Sequence, residues 1–86
     1  MDVFIYFPPN CGVERDELED VIDSVLGDRG EVTGGGAGPQ GSNLDVEIFE
    51  DDPAMFDVVL AALRDAGAPA GTRVVSGDRK AVLGDP

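Results

Sequence analysis

The period with which apolar residues recur changes along this chain, and that change constrains the fold more than any other feature. Residues 3–7 (VFIYF) are β-branched or aromatic and apolar on both sides, which is typical of a central strand with both faces at least partly covered. Two later segments repeat apolar residues with the period of a helix. Leu44, Val46 and Ile48 alternate with polar residues, as in a half-buried strand. The chain therefore combines strands with helices.

Both helical segments have clear end signals. The first is predicted over residues 13–26, and Gly27 stands where a glycine relieves the end of a helix. Asp52 and Pro53 begin the second, because Asp accepts bonds from free N–H groups and Pro lacks the N–H that has no partner there. Gly67 ends it. The predicted buried sides are Leu18, Val21, Ile22, Val25 and Leu26 in the first helix and Phe56, Val59, Leu60 and Leu63 in the second.

Short strands are predicted around these helices, at residues 31–33, 72–76 and 79–83. The last of them depends on a Gly77-Asp78 hairpin signal and is a short extra strand at the C-terminus. Residues 34–42 are rich in glycine and are predicted to form a long hairpin loop.

The order strand, helix, strand, strand, helix, strand resembles the ferredoxin-like (βαββαβ) fold. This resemblance implies one α+β domain over residues 1–86, with a four-stranded antiparallel sheet and two helices on one face. It also places the first and third strands at the centre of the sheet, which suits the apolar residues 3–7. It rests on element order alone, since no family motif is present.

Charge is the most informative feature for function. The net charge is −12, and residues 1–57 hold 15 acidic and 2 basic residues against 3 and 4 in residues 58–86. A face of one sign steers an oppositely charged partner, whereas nucleic acid and anionic membrane would be repelled. Adaptation to high salt is the alternative explanation, but it should spread acids over every surface. The residues predicted to bind a basic protein partner are Glu14, Asp16, Glu17, Glu19, Asp20 and Asp23.

Catalytic and metal-binding signals are weak. The chain has no His, and Cys11 is its single Cys, so the usual general base, a resolving thiol and a cysteine-rich metal site are all missing. Dipole compensation at the second helix explains the acidic run at residues 50–52. We expect no catalytic residue, no metal and no cofactor. No apolar run approaches the ~20 residues of a membrane-spanning helix, and a cytoplasmic location is expected.

One open sheet face is a further candidate for contacts. Phe4 and Tyr6 share one side of the first strand, and Phe49 shares a side with Asp45 and Glu47. This face is expected to carry aromatics and carboxylates without a basic residue. Such a surface suits protein contact or self-association better than RNA binding, because carboxylates repel phosphates.

Two function hypotheses from different classes remain. The first is a small, acidic, non-catalytic binding protein that engages a basic protein. In size and charge the chain is similar to immunity proteins that neutralise toxins and to inhibitors of nucleic-acid enzymes. The alternative is a dimeric regulatory or ligand-sensing module that uses the glycine-rich loop. An enzyme ranks last. The predicted loop contacts are Gly34, Gly36, Gly38, Gln40 and Asn43.

Overall fold

A five-stranded antiparallel sheet and two helices make up the computed structural model, which describes residues 1–9, 14–38 and 41–84. The elements are β1 (Asp2–Phe7), α1 (Arg15–Leu26), a 3₁₀ turn (Gly27–Arg29), β2 (Gly30–Gly38), β3 (Gly41–Ile48), α2 (Pro53–Asp65), β4 (Arg73–Ser76) and β5 (Arg79–Val82). The strand order is β2-β3-β1-β4-β5, and all neighbours are antiparallel. This arrangement roughly fits the ferredoxin-like order, but the sheet has five strands where the resemblance implied four.

The hydrophobic core lies between one face of the sheet and both helices. Val3, Ile5 and Phe7 of β1 alternate with exposed residues and join the inward residues of β3, β4 and the helices in one cluster. β1 is central, as predicted. Both helices pack on the same face of β1, so its other face is only partly covered. Phe4 and Tyr6 on the other face are 37% and 38% exposed.

The predicted end of α1 and start of α2 are confirmed, whereas residue 13, the predicted start of α1, lies outside the described residues. Gly27 has a φ of 55° and follows α1, which begins at Arg15. The side chain of Asp52 accepts a hydrogen bond from the N–H of Ala54 at 3.0 Å, and Pro53 is the first residue of α2. The buried side of α1 is narrower than predicted. Leu18, Ile22 and Leu26, spaced by four residues, are buried and Val21 is partly buried, whereas Val25 on the flank is 39% exposed.

The glycine-rich segment is strand, and the prediction of a loop over residues 34–42 is wrong. β2 continues to Gly38, β3 begins at Gly41, and their residues pair from Gly30 opposite Ile48 to Gly38 opposite Gly41, with one irregularity between Val32 and Gly34. Glycine has a low intrinsic propensity for β-strands. Here the pairing with β3 outweighs that propensity, because it supplies backbone hydrogen bonds that need no side chain. Gly41 has a φ of 125°, and a Cβ there would collide with the carbonyl oxygen of Phe7. A glycine at this point permits the close approach of the hairpin to β1.

Candidate binding surfaces

Acidic residues occupy the side of α1 that faces away from the core. Asp16 and Glu17 lie in the first turn, where the helix dipole stabilises negative charge. Glu19, Asp20 and Asp23 lie beyond that turn, outside the range of the dipole. Glu19 is half-buried, and the other predicted partner-binding residues are exposed. The structure therefore brings together on one helix surface Glu14, Asp16, Glu17, Glu19, Asp20 and Asp23.

This acidic side contacts the edge strand β2. The Oδ1 atom of Asp23 accepts a hydrogen bond from the backbone N–H of Val32 at 3.3 Å. Glu31, the residue before Val32, lies directly opposite Glu47 of β3, and both side chains are exposed. Like charges at directly opposite positions destabilise a sheet. We call the acidic side of α1 the acidic edge and define it as Glu19, Asp20 and Asp23, whereas Glu31 and Glu47 lie on the opposite face of the sheet, on the same side as Asp45.

The sheet face opposite the helices, here the outer face, is open and carries aromatics at its centre. Phe4 of β1 lies between Asp45 of β3 and Val75 of β4. Tyr6 lies between Asn43 and Arg73 in the next row. On β5, Lys80 is opposite Val75 and Val82 is opposite Arg73, so both belong to the outer face, and Val82 is 53% exposed.

The outer face carries basic residues, so the sequence-based expectation that it has none is wrong. Val74 is buried, which turns its neighbour Arg73 outward beside β1. The guanidinium carbon of Arg73 lies 5.2 Å from the centre of the Tyr6 ring, within cation–π distance. Phe49 does not join this group. It follows the last residue of β3 and lines a pocket of about 140 Å³ with Met55.

The predicted loop contacts are strand positions, and three of them are glycines without side chains. A Cβ at Gly34 would lie 3.6 Å from Oδ2 of Asp45, and one at Gly36 would lie 3.5 Å from Oδ1 of Asn43. These two glycines therefore face the same side as Asp45 and Asn43, and a Cβ at Gly38 would meet open space. The side-chain amide of Asn43 donates to Oδ1 of Asp45 at 3.3 Å. Gln40 lies outside the described residues, so its predicted contact has no structural counterpart.

The remaining sequence candidates have structural explanations or lie outside the described residues. Asp51 is 3.5 Å from the N-terminal amino group, and Asp52 caps α2. Within residues 1–9, 14–38 and 41–84, no group of three or more His, Cys, Asp or Glu residues is placed to hold a metal ion. Cys11 is not among the described residues.

Comparisons with family models, with curated proteins and with solved structures found no match to this chain. In the part of the chain that the structure describes, neither helix has the length and apolar character needed to cross a membrane. The acidic edge and the outer face are therefore the two candidate binding surfaces among the described residues.

Proposed function

We propose that this chain is a non-catalytic binding protein whose acidic edge engages a basic protein partner, in the manner of an inhibitor or immunity-type protein. The observation that supports the proposal is the placement of charge. Glu19, Asp20 and Asp23 lie beyond the stabilising first turn of α1, and each has another acid three or four residues away on the helix. This placement costs stability, so folding alone does not account for it. A surface of one sign accelerates association with a partner of the opposite sign.

The balance of charge elsewhere on the molecule favours this proposal over salt adaptation. On α2, the exposed Asp57 accepts a hydrogen bond from Arg79 at 2.6 Å, and Arg64 lies in the last turn. Arg73 and Lys80 add positive charge to the far strands. Adaptation to high salt would make these surfaces acidic as well. The fold is consistent with this role, and we propose that it is a ferredoxin-like arrangement extended by β5, a scaffold that holds α1 beside an edge strand.

The test compares the wild-type chain with the triple variant Glu19→Gln, Asp20→Asn, Asp23→Asn. The Asn at position 23 keeps an oxygen that can accept from the N–H of Val32. Proteins captured from the lysate of the native cell are identified, and association rates with the captured protein are measured at two salt concentrations. We expect a basic protein whose association with the triple variant is roughly tenfold slower and less sensitive to salt.

A second triple variant provides the matched control. Glu50→Gln, Asp65→Asn and Asp78→Asn changes the net charge by the same amount at exposed positions outside the acidic edge. We expect it to associate at close to the wild-type rate. An equal loss in both variants would show that overall charge, and not the acidic edge, governs binding. No loss in the first variant would contradict the proposal outright.

A further inference from the structure

Neither α1 nor α2 covers the outer face of the sheet. Its apolar residues, charges and shape are complementary to those of the same face on a second copy. We propose that it binds a second copy of this chain around a two-fold axis parallel to β1. This inference does not depend on the proposed function, because the outer face and α1 lie on opposite sides of the sheet.

Exposed apolar side chains form the centre of this surface. Phe4 and Tyr6 are more than a third exposed, and Val82 is more than half exposed. Val75 lies beside Phe4 and is partly buried. Contiguous apolar groups rimmed by polar ones mark interaction surfaces, since their burial is favourable.

The strands on the two sides of β1 carry charges of opposite sign on the outer face. Asp45 and Glu47 lie on β3, on one side of β1, and Arg73 and Lys80 lie on β4 and β5, on the other side. A two-fold axis parallel to β1 places β4 and β5 of one copy over β3 and β2 of the other. The positive half of each copy then meets the negative half of its mate. An in-plane axis perpendicular to β1 would instead place acid over acid, so the charges select the first arrangement.

The shape of the face matches the same axis. The strand pairing creates two rows across the sheet, Gly34-Asp45-Phe4-Val75-Lys80 and Gly36-Asn43-Tyr6-Arg73-Val82. The two-fold axis places each row of one copy over the same row of the other copy, in the opposite order. The long side chain of Lys80 then lies over the bare backbone of Gly34 in the second copy, next to that copy's Asp45. The Phe4 side chains meet at the axis, and so do the Tyr6 side chains.

The available area is that of a weak dimer. Five strands spaced by about 4.8 Å give a sheet roughly 24 Å wide. The six residues of β1 span roughly 20 Å. β4 and β5 have four residues each, span roughly 13 Å and lie over β3 and β2 of the other copy. The face therefore contributes about 350 Å² per copy and about 700 Å² in total, which is the size of a weak, transient interface. We expect a dimer that dissociates on dilution.

The experiment measures the mass of the purified chain by sedimentation equilibrium over a range of protein concentrations. The wild type should approach twice the 9.0 kDa of one chain. Lys80→Glu should weaken dimerisation at least tenfold, because it places like charges opposite each other at two symmetric contacts. Gly34→Lys should do the same, since it fills the space above β2 and faces Lys80 of the second copy. The fold should accept it, because a Cβ at Gly34 has ordinary contacts.

Mixing the two variants supplies a test that a folding defect cannot imitate. In the mixed dimer the new Lys at position 34 of one copy faces the new Glu at position 80 of the other, and the second contact is native. We expect the mixture to dimerise when neither variant does alone. Arg64→Glu is the control, because it makes the same charge change as Lys80→Glu on exposed α2 and should dimerise like the wild type.

Four results would overturn the proposal. One is a wild-type chain that stays monomeric up to roughly 1 mM. Another is a mixture of the two variants that does not dimerise. The third is an Arg64→Glu control that dimerises as weakly as Lys80→Glu. The fourth is a monomer that binds a single-stranded oligonucleotide in a manner abolished by Tyr6→Ala, which would assign the outer face to nucleic acid.

Discussion

Replacing Glu19, Asp20 and Asp23 by Gln, Asn and Asn should stabilise the dilute protein at low salt, whatever its partner. The reason is repulsion along α1. Each of these acids has another acid three or four residues away, and side chains at that spacing are neighbours on a helix. The pairs removed by the triple variant are 16/19, 16/20, 17/20, 19/23 and 20/23.

The size of the effect follows from those pairs. One like-charge pair at this spacing costs roughly 0.2–0.5 kcal/mol, so the five together cost about 1–2.5 kcal/mol. For a domain of this length, each kcal/mol shifts the midpoint of thermal unfolding by roughly 4–8 °C. We therefore expect the midpoint of the variant to exceed that of the wild type by about 4–20 °C near ~0.01 M salt.

Thermal unfolding followed by circular dichroism at low and high salt is the assay. The paired side chains lie ~5–6 Å apart, whereas the screening length falls from ~30 Å at 0.01 M salt to ~3 Å at 1 M. The wild type should therefore gain stability with salt, and the advantage of the variant should shrink to a small fraction at 1 M. The control with changes at Glu50, Asp65 and Asp78 should gain much less, because these acids are dispersed. An unchanged or lowered midpoint of the first variant would refute the repulsion argument and, with it, the claim that the acidic edge costs stability.

Four further substitutions test three other parts of the structure by urea unfolding in dilute protein. Glu47→Lys should stabilise by about 0.5–1 kcal/mol, because it sets an opposite charge across from Glu31; a loss would contradict the strand register. Gly41→Ala should cost more than about 2 kcal/mol through backbone strain and collision, whereas Gly38→Ala should stay within about 1 kcal/mol; similar losses would contradict the hairpin geometry. Ile22→Ala should cost about 2–5 kcal/mol by leaving a cavity in the core, and a loss below ~1 kcal/mol would show that α1 is not packed as described.

Local signals in the sequence were sufficient to predict the elements that have a hydrophobic pattern or end signals of their own. The alternation of Leu44, Val46 and Ile48 predicted which side of β3 is buried. The Asp52-Pro53 pair predicted the start of α2, and Gly27 predicted the end of α1. In each case the determining interaction is made within a few residues along the chain, so the sequence records it directly.

The predictions that failed concern features that are determined by a strand distant in the sequence. Gly34 and Gly36 carry no pattern of their own, and β3 alone holds them in a strand. Arg73 was not expected on the outer face, because that placement requires both the burial of Val74 and the pairing of β4 with β1. The predicted partner-binding acids of α1 were placed correctly on one surface, because helical spacing is a local property. Whether they bind a partner stays a prediction.

The two proposed surfaces respond to salt in opposite directions, and this difference separates them in one set of measurements. Capture of a basic protein by the acidic edge depends on attraction between opposite charges and weakens as salt screens it. Dimerisation through the outer face instead brings together two chains of net charge −12, and moderate salt relieves that repulsion. In the proposed dimer, Lys80 would lie close to the acidic half of its mate and would be partly desolvated, so salt would weaken this contact less than it weakens the long-range repulsion. We therefore expect the dimer to strengthen between ~0.01 M and ~0.1 M salt while association with a basic partner slows.

Stacking of the outer faces would leave α1 exposed in both copies, because the helices lie behind the sheet. A dimer would consequently present two acidic edges, and the Lys80→Glu monomer would present one with its residues unchanged. If binding to the captured protein were lost in that variant as well as in the triple variant of α1, the two surfaces would not be independent, and the assignment of partner binding to α1 would be wrong.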